Sequence, residues 1–362
     1  MTDLVNSTDY GTVLRSASNG QIGLEWLGQF AFHVGILDVI IIKDMGASLI
    51  QTMKNAYPTL EIIIVCDASP ESAQATLDAM NLGAMDFVLR PDSLKSLTTV
   101  KIKQALEAIF TQIKVRQYLI KPESNKTGYG FASTNPLAGI APKAESPSSG
   151  LNAYTTHEVQ KRAPYLYDVD LVVIASSTGG PAALESVIKK LPADFTKPVL
   201  IVQHMPPEFT HVLADSLNKK YKKNIFEGKS GDSIKPSTIM IAPGGFHMIV
   251  EEGFGSTMQI KLLDTPFLNG LKPAADILFS SVAKVCKGKN ILAVVLTGMG
   301  NDGTAGIKEI KNSCNCYCIT QSEQSCVVYG MPKCVAEAGL SDEVVDLKDI
   351  AFRMYQLAHK KG

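Results

Sequence analysis

The stretch Leu171-Val172-Val173-Ile174-Ala175 is a β-rich apolar run that stops at Ser176-Ser177 and passes through Thr178-Gly179-Gly180-Pro181 into a helical segment. That is a strand–turn–helix junction, and similar junctions recur along the C-terminal half. Strands are expected over 169–175, 199–203, 238–242, 248–251, 291–296, 316–320 and 343–345, and helices over 182–191, 208–220, 275–284, 304–311 and 333–338. Alternation of this kind implies an α/β, doubly wound and mostly parallel sheet with crossover helices. Such sheets place ligands beyond the carboxyl ends of their strands, so site residues are sought just after the apolar runs.

Residues 12–110 alternate in the same way. Strands are expected over 38–42, 61–66 and 86–89, and helices over 69–82 and 94–110. Between the halves the composition shifts to Asn, Ser, Thr, Gly, Pro and Ala, as in Glu145-Ser146-Pro147-Ser148-Ser149-Gly150. The expected organisation is therefore an N-terminal unit over 1–121, a flexible linker over 122–164 and a second α/β unit over 165–362. The chain of 362 residues has room for both.

Formal net charge is zero, which gives no reason to expect a nucleic-acid or anionic-membrane partner. No run reaches the roughly 20 apolar residues of a membrane span. The start, Met1-Thr2-Asp3-Leu4, lacks a signal-peptide pattern, so a cytoplasmic location is expected. Seven cysteines, an odd number, suit reduced thiols. Cys314, Cys316 and Cys318 alternate and would share one face of a strand, where they are expected as buried thiols and not as metal ligands.

Three residues of complementary chemistry follow strands. Ser177 comes after the first run, His204 after Leu200-Ile201-Val202-Gln203, and Asp302 after Val294-Val295-Leu296 and a glycine-rich turn. Nucleophile, general base and orienting carboxylate are the roles such a set can take. Each also has a plainer use: a helix-capping serine, a turn histidine before Met205-Pro206-Pro207, an Asp-Gly turn. On the residues alone the two interpretations balance. The order Ser, His, Asp and the absence of G-x-S-x-G argue against an ordinary esterase or lipase. Two rivals stand close by. Ser176 adjoins Ser177, but successive side chains of an extended chain face opposite ways, so only one hydroxyl can meet His204. His247 lies in a glycine-rich turn and is expected to be structural or to line the pocket.

Six blocks carry a resemblance over residues 170–350. They are Ser177-Thr178-Gly179-Gly180-Pro181, Gln203-His204-Met205-Pro206, Ala242-Pro243-Gly244-Gly245-Phe246-His247-Met248, Asp276-Ile277-Leu278-Phe279-Ser280-Ser281, Leu296-Thr297-Gly298-Met299-Gly300-Asn301-Asp302-Gly303 and Ser325-Cys326-Val327-Val328-Tyr329-Gly330-Met331-Pro332. In family order they resemble the catalytic domain of the chemotaxis protein-glutamate methylesterases, the CheB family. The resemblance implies Ser177 as nucleophile, His204 as base, Asp302 as acid, and Thr178 and Met299 on the oxyanion or substrate side. It implies hydrolysis of glutamyl methyl esters on the cytoplasmic helices of chemoreceptors, with glutamine deamidation as a second activity and no metal or organic cofactor; a monomer is the separate expectation for the chain. The alternative is a non-catalytic adaptor that binds receptors or signalling partners. Three departures stand out: Ala175 replaces the family's glycine, Ser176 replaces its alanine, and Pro273-Ala274-Ala275-Asp276 replaces its Pro-Ser-Val-Asp.

Residues 13–91 resemble the later part of the family's phosphorylatable receiver, through Asn19-Gly20 and Leu82-Gly83-Ala84-Met85-Asp86-Phe87-Val88. On that resemblance, the given sequence is expected to start after the strand that carries a receiver's acidic pair. Lys43 stands where the phosphoacceptor aspartate is expected, Asp44 lies one residue out of register, and Arg90 replaces the family's lysine. The expectation is a degenerate receiver with no phosphoacceptor.

Overall fold

The computed structural model describes residues 1–90, 96–120 and 168–358. The linker expected over 122–164 lies outside the described residues.

The N-terminal half holds β1 (Val34–Asp38), β2 (Glu61–Cys66) and β3 (Asp86–Leu89), a parallel sheet in the order β1-β2-β3. Glu-Ile-Ile-Ile-Val-Cys of β2 is buried at every position, as the middle strand of a sheet covered on both faces must be. The strand expected over 38–42 is displaced. The chain is extended only as far as Asp38 and helical over Val39–Met45. Two interactions of one carboxylate explain the stop. Asp38 caps the helix by accepting the Ile40 N–H at 3.0 Å, and both its oxygens accept from the Arg90 guanidinium at 2.8 Å. The isoleucine run then follows a helical period: Val39 and Ile42 are buried and Ile40 points outward. Lys43 and Asp44 consequently lie on this helix, where Lys43 Nζ donates to Ser72 Oγ at 2.9 Å. The carboxylate at the end of β1 is Asp38.

The C-terminal half is a seven-stranded, all-parallel sheet. Its strands are β4 (Leu171–Ser176), β5 (Val199–Gln203), β6 (Asn224–Glu227), β7 (Thr238–Ile241), β10 (Asn290–Val295), β11 (Asn315–Gln321) and β12 (Glu343–Val345), in the order β12-β11-β10-β4-β5-β7-β6. An antiparallel hairpin, β8 (His247–Glu252) with β9 (Met258–Leu263), stands apart from it. β6, β9 and the closing helix Leu347–Ala358 are not among the elements expected from the sequence. β6 has four residues and begins exposed, and β9 buries only Ile260, so neither presents a strong apolar run.

The sheet separates two cores. Val172 and Ile174 of β4 face the helices Gly180–Lys190, Pro207–Tyr221 and Leu347–Ala358; Leu171, Val173 and Ala175 face Ala275–Val285, Thr304–Ser313 and Met331–Glu337. Cys316 and Cys318 of β11 pack into the second core, and burial pushes the Cys316 thiol up to about 12. The first core continues into the N-terminal half, where Phe87 of β3 stacks on Phe209 with ring centroids 4.4 Å apart.

Candidate active site

The chain runs outward from β4 to β5 and β7 on one side, and from β10 to β11 and β12 on the other. The order therefore reverses at β4 and β10, and a crevice opens beyond their carboxyl ends. Ser177 follows β4, His204 follows β5, and Asp302 follows β10 across the turn Leu296 to Asn301. Because β4 is hydrogen-bonded to both β5 and β10, all three loops leave the same edge of the sheet side by side.

His204 and Asp302 meet directly. Nε2 of the imidazole lies 2.7 Å from Asp302 Oδ2, with side chains only 9% and 5% exposed. The same oxygen accepts the Ala275 N–H at 2.6 Å, and Oδ1 accepts the Asp276 N–H at 2.9 Å, both from the first turn of the helix Ala275–Val285. Burial alone would raise the Asp302 pKa. The hydrogen bond and charge of His204 and the two backbone donors outweigh it and hold the carboxyl below its usual value. An ionised Asp302 only accepts, so the proton between the two groups belongs to His204 Nε2. Nδ1 is then the ring's lone-pair nitrogen, and it is buried without a hydrogen-bond partner. The ring is turned relative to the serine-protease arrangement, where the acid takes Nδ1.

Ser177 is half-buried, whereas Ser176 is fully buried with its hydroxyl committed to Gln203 Oε1 at 2.7 Å. Among the described residues, therefore, Ser177 is the serine of this turn that a substrate can reach. No hydrogen bond joins its hydroxyl to His204 in this unliganded geometry, a pairing that commonly tightens only when substrate binds. The Ser177 N–H donates to Thr297 O at 3.0 Å, and its carbonyl accepts the Gly180 N–H at 2.7 Å. Gly298 presses against the serine: a Cβ there would fall 2.8 Å from Ser177 Cβ and 2.4 Å from Met331 Sδ. Only glycine lets the loop after β10 approach so closely.

The other expected residues divide. Met299 is 42% exposed on the rim. Thr178 lies close enough to Asp86 of the N-terminal half for its hydroxyl to lower that carboxyl's pKa, while its carbonyl accepts from Thr297 Oγ1 at 3.0 Å. His247 is fully buried with both ring nitrogens in use: Nδ1 accepts the Ala274 N–H at 3.2 Å and Nε2 donates to Pro266 O at 3.1 Å. It steadies the segment whose next two N–H groups hold Asp302. Two supporting residues lie inside the blocks that carry the resemblance, where sequence reasoning assigned them no role of their own. Asp276 Oδ1 accepts from the Gly303 and Gly306 N–H groups at 2.9 and 2.8 Å, and Gln203 lies buried at the end of β5. The signal for Asp276 was an acid in a helical first turn; a polar residue closing an apolar strand was the signal for Gln203.

Comparison with known proteins adds a second line of evidence. The CheB methylesterase family model matches residues 172–354, and the response regulator receiver domain model matches residues 1–102. A relative from Halalkalibacterium halodurans, named protein-glutamate methylesterase/protein-glutamine glutaminase, is 36% identical over 352 residues, which span 97% of this chain and 92% of the relative. A relative of the same name from Bacillus subtilis is 34% identical over 345 residues, 94% of this chain and 89% of its own. The crystal structure of the Thermotoga maritima CheB methylesterase catalytic domain is 37% identical, with a TM-score of 0.50, and is covered completely by 53% of this chain.

Proposed function

The chain belongs to the CheB methylesterase family and is a hydrolase, and on that premise we propose that Ser177, His204 and Asp302 hydrolyse glutamyl methyl esters on the cytoplasmic helices of chemoreceptors. Glutamine deamidation at the same site is the companion activity that the relatives' name suggests. The observation that carries this reading is the His204–Asp302 pair, with one imidazole nitrogen fixed on the acid and the other buried without a hydrogen-bond partner.

His204 Nδ1 takes the Ser177 proton as Oγ adds to the ester carbonyl. The imidazolium, held by Asp302, returns that proton to the departing methoxide, and methanol leaves an acyl-serine. A water, deprotonated by the same nitrogen, releases the glutamate and restores the hydroxyl. With an amide substrate the leaving group is ammonia. No described helix is long and apolar enough to cross a membrane, in keeping with action on the receptors' cytoplasmic parts.

The N-terminal receiver domain acts here as a docking or inhibitory module that acyl phosphate does not switch. Lys43 and Asp44 are helical, and Asp38 is held on both oxygens by Arg90. Incubation with acetyl phosphate and Mg²⁺ is expected to leave Asp38 and Asp44 unmodified by mass spectrometry; a stable aspartyl phosphate at either would overturn this part of the reading. For the catalytic part, Ser177→Ala is expected to lower kcat for methanol release from methylated receptor by on the order of 10⁶. Unchanged methanol release would refute it.

A further inference from the structure

Gln203 closes β5, immediately before His204, and is 1% exposed. A primary amide buried so completely must find partners for its oxygen and for both its hydrogens. It finds all three in the backbone and side chains that carry the nucleophile and the base. Nε2 donates to the carbonyl of Ser177 at 3.0 Å and to the carbonyl of His204 at 3.3 Å. Oε1 accepts from the Ser176 hydroxyl at 2.7 Å, and Ser176 is itself fully buried. The amide sits so tightly that a Cβ added at Gly180 would lie 1.9 Å from Oε1. Strand pairing already sets the distance between β4 and β5, and His204 N–H to Ser176 O, at 3.1 Å, is the last backbone link between them. Beyond that link, Gln203 ties the two loops together.

We propose that Gln203 is a positioning residue for the reaction: a carboxamide brace that fixes the Ser177 turn against the His204 turn, with the two acceptor carbonyls setting which way the amide faces and the Ser176 hydroxyl satisfying its oxygen. It touches neither substrate nor reacting atoms. It acts through the two carbonyls, and its contribution lies in keeping the serine within reach of Nδ1, where a displacement of about 1 Å can reduce the rate on the order of 10²-fold. An amide turned end for end would aim Oε1 at two carbonyl oxygens, and the Ser176 donor matters because without it the buried Oε1 loses its hydrogen bond. The proposal rests on Ser177 and His204 being nucleophile and base.

The test uses the full-length protein and a fluorophosphonate probe that labels an activated serine, alongside methanol release from methylated receptor. Two quantities are read: the second-order labelling rate, and the total label at saturation. Gln203→Glu keeps the shape but cannot donate to the carbonyls, and Gln203→Met keeps the volume without polar atoms. Each is expected to label to full stoichiometry at a rate lowered on the order of 10²-fold, with kcat reduced in parallel and KM within about twofold. Ser176→Ala, the mildest change, is expected to lower the rate roughly fivefold. A merely structural role would instead lower the label incorporated, with an unchanged rate for the molecules that do react; that result overturns the brace, as does a rate within twofold of wild type in Ser176→Ala and in either folded Gln203 variant. Wild type that labels nowhere, or labels equally well as Ser177→Ala, would overturn the catalytic reading and the brace with it. Wild type that labels only at Ser177, with indifferent Gln203 variants, overturns the brace alone.

Discussion

Asp302 accepts from His204, Ala275 and Asp276 at once, and that triple engagement fixes which imidazole nitrogen is free. Asp302→Asn should therefore do more than remove a charge: its amide can face Nε2 with either end, and kcat is expected to fall by about 10⁴ in a folded protein, as when a triad acid is neutralised. The same variant changes acid stability. The folded carboxyl titrates below its unfolded value of 3.8, so its stabilisation is present above that value and is lost as pH falls through the folded pKa. Urea midpoints at pH 6 and pH 3 should thus differ less in Asp302→Asn than in wild type. The three residues could be singled out as candidates in the sequence because each follows an apolar run in a fold whose strand ends carry the chemistry, and the family resemblance then gave them roles. Strand alternation allowed only one of Ser176 and Ser177 to meet His204, and the family resemblance picked Ser177. The free Nδ1 was not, because the ring's orientation depends on N–H groups delivered by a helix that starts some 70 residues after His204.

Two helices hold each other's beginnings. Asp302, just before the helix Thr304–Ser313, accepts from the first turn of Ala275–Val285, and Asp276 of that turn accepts from Gly303 and Gly306 at the start of the other. Each carboxylate thus satisfies N–H groups that its own helix cannot reach. Asp276→Ala is expected to destabilise the C-terminal half by about 1–2 kcal/mol, read from urea unfolding, and to lower kcat with it, because Asp302 loses its seat. Asp276→Asn should retain part of both. Helix and strand types in the C-terminal half were readable from apolar runs and glycine turns, but this exchange was not, since it joins loops brought together only by the sheet. In the N-terminal half the strand expected over 38–42 was misplaced for a related reason. Val39-Ile40-Ile41-Ile42 suits a strand or a buried helix equally, and the choice rested on Asp38 meeting Arg90, 52 residues away.

Across the whole molecule, the receiver leans on the loops that flank the nucleophile. β3 brings Asp86 to Thr178, and Val328 packs into the receiver's own apolar cluster. Burial pushes the Asp86 pKa up to about 6, against a hydrogen bond from the Phe87 N–H and the nearby Thr178 hydroxyl, which pull it down. A folded value above the ordinary 3.8 means that this contact is firmest below about pH 4 and weakens as pH rises through 6. If the receiver restrains the site, the gain in kcat/KM on removing residues 1–160 should be larger at pH 5 than at pH 7.5, and Asp86→Asn should flatten that difference; a gain independent of pH in wild type would dissociate Asp86 from the restraint. The solved Thermotoga catalytic domain, which corresponds to the C-terminal half alone, makes such a truncation practicable. The stacked rings of Phe87 and Phe209 carry a further consequence. Swinging the two halves apart bares an aromatic face five positions along the chain from His204, and water will not tolerate it for long. Parting the halves therefore forfeits an aromatic contact as well as the approach of Asp86 to Thr178.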